Sequence, residues 1–180
     1  MGRARAIAGS LAFLIVVPGV VAGLLPWLVT DWEVRAWWPP VRVLGALMIA
    51  VGLAVLLEAF GRFAFEGIGT PAPVAPTERL VVGGAYRYVR NPMYLAVAVI
   101  VVGQALLLGR STLLVYAAVF GVAVATFVHG YEEPTLARRF GAQYEDYRRA
   151  VRAWWPRWTP WEPGSRTEPA RGAGRGEVRR

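Results

Sequence analysis

Two short stretches hold most of the chemistry in this chain. "GAYRYVRNPMYL", residues 84–95, sets Tyr86, Tyr88, Arg90, Asn91 and Tyr94 at the start of a long apolar run, and about forty residues later "HGYEEP" closes another such run with Glu132 and Glu133. Carboxylates directly after an apolar segment are costly unless they pair or touch a polar cavity. Arg90 is their obvious partner. In the plainest reading one arginine–glutamate bridge satisfies that need, Asn91 is the N-cap of a helix with Pro92 in its first turn, and the tyrosines are ordinary interfacial residues. Two carboxylates, several phenols and a neighbouring irregular loop exceed what one bridge requires, so a polar pocket between the two stretches is the alternative.

The elements that must position these groups are apolar. The chain has 180 residues, 56% hydrophobic and 18% charged, with a mean hydropathy of +0.39, which is too apolar for an ordinary soluble domain. A bilayer span takes about 20 mostly apolar residues, and the stretches 7–29, 41–60, 93–109 and 111–131 qualify or nearly qualify. The expected fold is all-α, an integral membrane bundle of about four transmembrane helices. The first stretch follows Arg3 and Arg5 as a signal peptide would, yet its apolar run is too long and no small-residue cleavage site follows, so a retained helix is expected. Only "GRS" joins the third and fourth stretches, which forces a tight antiparallel hairpin and brings Arg90 and the glutamate pair to one membrane level.

All twenty basic residues are arginine, and seventeen of them fall on one side of such a four-span arrangement, leaving Arg35, Arg42 and Arg110 on the other. Positive charge in short loops stays cytoplasmic. Both termini and the 61–92 segment are therefore expected at the cytoplasmic face of the inner membrane. The net charge of +8 fits this topology and an attraction to anionic headgroups more economically than a nucleic-acid partner. The absence of cysteine excludes disulfides, thiolate metal sites, cysteine nucleophiles and a prenylated C-terminus.

Three parts are expected: an N-terminal helix pair over 1–60, a core with an interfacial helix over 61–161, and a disordered basic tail over 162–180. Trp32, Trp37 and Trp38 suit an interfacial loop between the first two spans. "GIGTPAP", with Gly67, Gly69 and Pro71, follows no strand and opens no βαβ unit, so it reads as a lid or linker and not as a phosphate loop. After Pro134, Leu136, Phe140, Tyr144, Tyr147 and Val151 recur at helical spacing while arginines cover much of the remainder. The pattern predicts one C-terminal amphipathic helix along the membrane surface, anchored by Trp154, Trp155, Trp158 and Trp161.

"LVVGGAYRYVRNPMYL", an apolar hairpin, and then "EEPTLARRFGAQYEDYRRAVRAWWPR" together resemble the integral-membrane methyltransferases that include isoprenylcysteine carboxyl methyltransferases and phospholipid N-methyltransferases. The resemblance covers about residues 61–157. It implies S-adenosylmethionine bound in a cytoplasm-facing pocket made from both segments, and a membrane lipid or lipidated substrate arriving through the bilayer. By position it assigns Leu80, Val81 and Gly84 to the stretch lining the adenine end, Tyr86, Arg90, Asn91, Pro92 and Tyr94 to the Arg-His-Pro-x-Tyr signature near the cofactor, and Glu132 and Glu133 to the acidic pair. Arg90, Glu132 and Glu133 are the catalytic candidates it implies. Asn91 replaces the histidine of many eukaryotic members, so a histidine acid or base is missing there while an amide remains.

The residue types suit that chemistry. A sulfonium methyl donor carries a cationic sulfur, an ammonium and a carboxylate, which call for carboxylate, arginine and aromatic faces, the last by cation–π attraction of about 0.5 to 2 kcal/mol. Alignment supplies most of the acceleration in such a displacement, and no metal is needed. His129 and Glu133 have i, i+4 spacing but lack an evident third metal ligand. Glu58 is an intramembrane carboxylate that either touches substrate or pairs with Arg62 one turn later. Two other functions fit the same sequence features: an NADPH-dependent membrane reductase, whose relatives generally have more spans, and a non-enzymatic helical membrane protein.

Overall fold

A computed structural model describes residue 12 and residues 16–35, 38–66 and 80–162, with only the backbone described for 63–66. The amino-terminal residues of the first expected span, Trp37, the expected lid with Gly67, Gly69 and Pro71, and the tail from 163 onward lie outside the described residues. The regular elements among the described residues are all helices, with no strand among them. Helix α1 spans Val16–Thr30, α2 Pro39–Glu66, α3 Pro92–Leu108, α4 Thr112–Phe127, α5 Glu133–Phe140 and α6 Ala142–Ala150. Two continuous helical stretches are long and apolar enough to cross a bilayer, Pro39–Arg62 and Thr112–Phe140, while α1 and α3 are apolar but shorter.

α2 and α3 form the rigid centre. At Gly45 a Cβ would come within 2.6 Å of the Gly103 carbonyl oxygen, and one at Gly103 would meet the Gly45 oxygen at 2.8 Å, so these two glycines let the backbones touch. Close approach through small residues is how apolar helices associate where lipid removes the hydrophobic drive. Leu56, Phe60, Ala96, Val97 and Ile100 pack below that contact.

Proline explains the irregular turns in the flanking helices. Pro26 has no N–H for the Ala22 carbonyl, and a π-helical segment over Val20–Leu24 shifts the Leu25 N–H to the Val20 oxygen. The orphaned carbonyls are taken by side chains from the hairpin: Gln104 Nε2 donates to Ala22 at 2.6 Å, and the Tyr116 hydroxyl donates to Val21 at 2.7 Å. Such external donors are what make proline tolerable in an apolar helix. At the far end of α4 a second π segment, Val128–Glu132, passes without interruption into α5, re-registering the ladder where Pro134 has no N–H to give.

The single amphipathic helix expected after Pro134 is two helices. Gly141 adopts φ +52°, a conformation that side chains disfavour, and it breaks the path between α5 and α6. The break turns Tyr144, Tyr147 and Val151 inward, where they form their own core with Leu80, Leu136 and Phe140. Residues 151–162 then run as an irregular strap across the turn before α3: Arg90 N donates to the Arg152 oxygen, Arg157 N to the Tyr88 oxygen and Trp161 N to the Arg87 oxygen, all within 3.0 Å. Trp155 and Trp158 stand exposed on this strap, whereas Trp161 packs on Tyr147 with ring centroids 5.3 Å apart.

Candidate functional site

The α3–α4 hairpin brings the two polar stretches into contact. Arg90 Nη1 lies 2.8 Å from Glu133 Oε1, with side chains only 11% and 13% exposed, and donates to the Tyr144 hydroxyl at 2.9 Å. Tyr94 donates to Glu132 Oε2 at 3.1 Å. His129 Nδ1 sits 3.3 Å from the other Glu133 oxygen. Glu133 is thus held from two sides, whereas the partner of Glu132 is a neutral phenol.

These groups line a cavity of about 470 Å³, within the range of sites for ligands of drug or cofactor size. Leu80, Val81, Tyr86, Arg90, Asn91, Pro92, Tyr94, Glu132 and Glu133 all contribute to its wall; Gly84, expected among them, does not line it and lies against Glu58 instead. The cavity has two characters. Its polar part is the Arg90, Glu132 and Glu133 cluster with the phenols; its apolar part runs between α1, α2 and α4, where Val21, Leu56, Phe60, Phe120, Val124 and Phe127 face it.

Two buried polar atoms at the polar end lack a hydrogen bond, and only one of them, Arg90 Nε, is left uncommitted. Arg90 Nε has no hydrogen-bond partner among the described residues, and the contact of Glu133 Oε1 with the guanidinium is ionic but off the direction of a hydrogen bond. Buried polar groups are nearly always satisfied, so an uncommitted N–H beside a cavity suits a ligand carboxylate, while Glu132, bonded only to the Tyr94 phenol, suits a cationic group. The donor set therefore fits a zwitterionic methyl donor.

Asn91 occupies the N-cap position of α3 but makes no side-chain cap. Its amide nitrogen instead donates to the Ala153 carbonyl at 3.2 Å, tying the strap to the turn. A cap would use the side-chain oxygen to accept from the N–H of Met93 or Tyr94, whereas here it is the amide nitrogen that is engaged, as a donor to the strap. Tyr144 and Tyr147 are site residues that sequence reasoning missed, because their spacing fits an apolar stripe equally well. The useful signal was that both carry hydroxyls where leucine would have sufficed. Tyr147 donates to the Tyr86 carbonyl at 2.7 Å in a buried bond.

Burial raises the pKa of the Tyr147 phenol. Burial also raises that of Tyr144, with Arg90 opposing, and it raises that of Tyr86 strongly, reinforced by Tyr147. All three therefore remain protonated donors at physiological pH. Among the described residues no three histidine, cysteine or acidic side chains gather as metal ligands, and Glu133, the neighbour of His129, is engaged by Arg90.

The family model for phospholipid methyltransferases matches residues 41–143, more than half of the chain, from the first turn of α2 into the first turn of α6. That span includes both polar stretches and stops just short of Tyr144. No curated protein and no solved structure matches the chain.

Proposed function

The chain belongs to the phospholipid methyltransferase family, and on that premise we propose that it transfers a methyl group from S-adenosylmethionine to a lipid-like acceptor at the cytoplasmic face of the inner membrane. When bound, S-adenosylmethionine supplies a methyl group on a cationic sulfur, already activated for displacement. In this reading α1 to α4 are four spans with both termini cytoplasmic, 1–60 is a helix pair, 61–161 the working core and 162–180 a basic tail. The observation that carries the reading is the cavity that is charged at one end and apolar at the other.

The roles follow from what each residue has left to offer. Arg90, fixed by Glu133 and Tyr144, keeps its Nε–H for a carboxylate. Glu132, tied only to the Tyr94 phenol, offers negative charge to a cationic group or accepts the proton of an ammonium acceptor. Glu133 holds Arg90 in place. Leu80 and Val81 supply an apolar wall for a nucleobase. Phe60, Phe120 and Phe127 exclude water and receive acyl or prenyl chain, with a phospholipid amine or an isoprenylcysteine-type carboxylate as acceptor. Alignment in this dry cleft is the main source of acceleration.

Incubating the protein in membranes with radiolabelled S-adenosylmethionine and extracting the lipids tests the proposal. Label in a lipid or lipidated fraction, dependent on Glu132, is the expected result. Label confined to the aqueous phase overturns it.

A further inference from the structure

Glu58 lies on α2, outside the cavity wall, and none of the roles above uses it. Its carboxylate is nevertheless fully engaged. Oε1 accepts from Arg62 Nε at 2.9 Å one turn along the same helix, and Oε2 accepts from the backbone N–H of Ala85 at 3.2 Å. Ala85 is the second residue of a 3₁₀ turn, Gly84–Arg87. A carboxylate at the start of a short helical turn satisfies a backbone donor that has no partner within the turn.

The fit around Gly84 is closer still. Gly84 has φ +54°, and a Cβ there would stand 1.8 Å from Glu58 Oε1 and 2.8 Å from Arg62 Nε. The carboxylate therefore occupies the space that any side chain at position 84 would need. The turn it grips carries Tyr86, which lines the cavity and whose carbonyl receives the Tyr147 hydroxyl. From α2 to Tyr147 the chain of contacts is continuous: carboxylate, Ala85 N–H, Tyr86, Tyr147.

We propose that Glu58 is a positioning residue for the methyl-donor site, clamping the Gly84–Arg87 turn onto α2 so that Tyr86 and Tyr147 form a fixed wall of the cavity. Gly84 is needed in this arrangement because it leaves room for that carboxylate, and Arg62 keeps the carboxylate aimed. The inference rests on the reading of the cavity as the methyl-donor site. The acceptor's apolar part of the cavity is built by other residues, so the clamp acts on donor binding alone.

Binding of S-adenosylhomocysteine to detergent-purified full-length chains, with the KM for each substrate and the thermal midpoint, tests it. Glu58→Ala is expected to weaken S-adenosylhomocysteine binding about tenfold, the equivalent of one hydrogen bond to a charged acceptor, with the acceptor KM unchanged. Glu58→Gln, which retains a carbonyl for Ala85 N–H, recovers most of the loss. Gly84→Ala also weakens binding, and less so in the Glu58→Ala background, where the oxygen that the new methyl would meet is gone. Such non-additivity is the mark of neighbours in contact.

Donor binding unchanged in Glu58→Ala, equal losses in donor and acceptor affinity, or strictly additive effects of the two substitutions would each overturn the clamp. Should Glu58→Ala fail to fold, Glu58→Ser, which also removes the oxygen beside Gly84, carries the same comparison. A wild-type chain that binds no S-adenosylhomocysteine sinks the functional reading itself, which is a different outcome from a wild type that binds and a Glu58 variant that binds equally well.

Discussion

The two ends of the helical hairpin use the same ingredients for different ends. At the α3–α4 connection Arg110 pairs with Glu33, whose side chain is 72% exposed, beside the exposed Trp27 and Trp32. At the opposite end Arg90 pairs with Glu133 in near-complete burial, among phenols and beside a cavity. The first pair tidies a loop: the Arg110 guanidinium also takes the Glu33 carbonyl, and Arg35 N donates to Leu108. The second leaves an N–H uncommitted. A count of arginines, glutamates and aromatics does not separate an exposed bridge from a candidate site; burial, and what remains unsatisfied after pairing, does.

The largest effect expected from this contrast is at Arg90. Arg90→Ala leaves Glu133 buried without its cation and should destabilise the protein by about 3 to 5 kcal/mol, read as a lowered midpoint in chemical or thermal denaturation. Tyr147→Phe removes a buried hydroxyl and orphans the Tyr86 carbonyl, costing about 1 to 3 kcal/mol. Because burial holds the Tyr86, Tyr144 and Tyr147 phenols above their ordinary pKa, their protonated forms favour the folded state. Their stabilisation is complete below the unfolded value of about 10 and declines as pH rises above it. Tyrosinate absorbance should show these three ionising later than free tyrosine, and a titration in which all seven tyrosines ionise together near the free value would contradict their burial.

Asn91→Ala should cost about 1 kcal/mol and loosen the strap, making 151–162 more sensitive to limited proteolysis while α3 stays intact. An unchanged digestion pattern would mean that the backbone bonds to Arg152, Tyr88 and Arg87 suffice. The smallest effect belongs to the outer pair: Arg110→Ala should change stability by no more than about 1 kcal/mol and leave donor binding alone. If Arg110→Ala matched Arg90→Ala, the distinction between the two ends would collapse.

Much of this arrangement was legible in the sequence because lipid imposes few solutions. A three-residue link between apolar runs dictates a hairpin, and the hairpin dictates that residues forty apart meet. The meeting of Arg90 with the glutamate pair follows from that; that Glu133 and not Glu132 takes the guanidinium does not. What escaped notice depends on local backbone events with weak signals. Gly141 reads as an ordinary helical residue until its φ is known, so Tyr144 and Tyr147 passed for membrane-facing apolar stripe. Asn91 has the composition of a cap, and only the path of the strap shows why its amide turns to Ala153. The Glu58–Arg62 pair was visible as one of two options, but its grip on Ala85 spans 27 residues in sequence and has no periodic signature.

Glu132 is the decisive position, because Gln keeps its shape and the Tyr94 hydrogen bond and removes only charge from a carboxylate that has no ion pair among the described residues. Titration of S-adenosylhomocysteine into wild type and Glu132→Gln, with thermal midpoints alongside, should give clear binding to the former and about tenfold or more weaker binding to the latter at equal stability. Absence of binding to wild type, or equal affinity of the two proteins, would contradict the assignment of this hairpin end as the methyl-donor site.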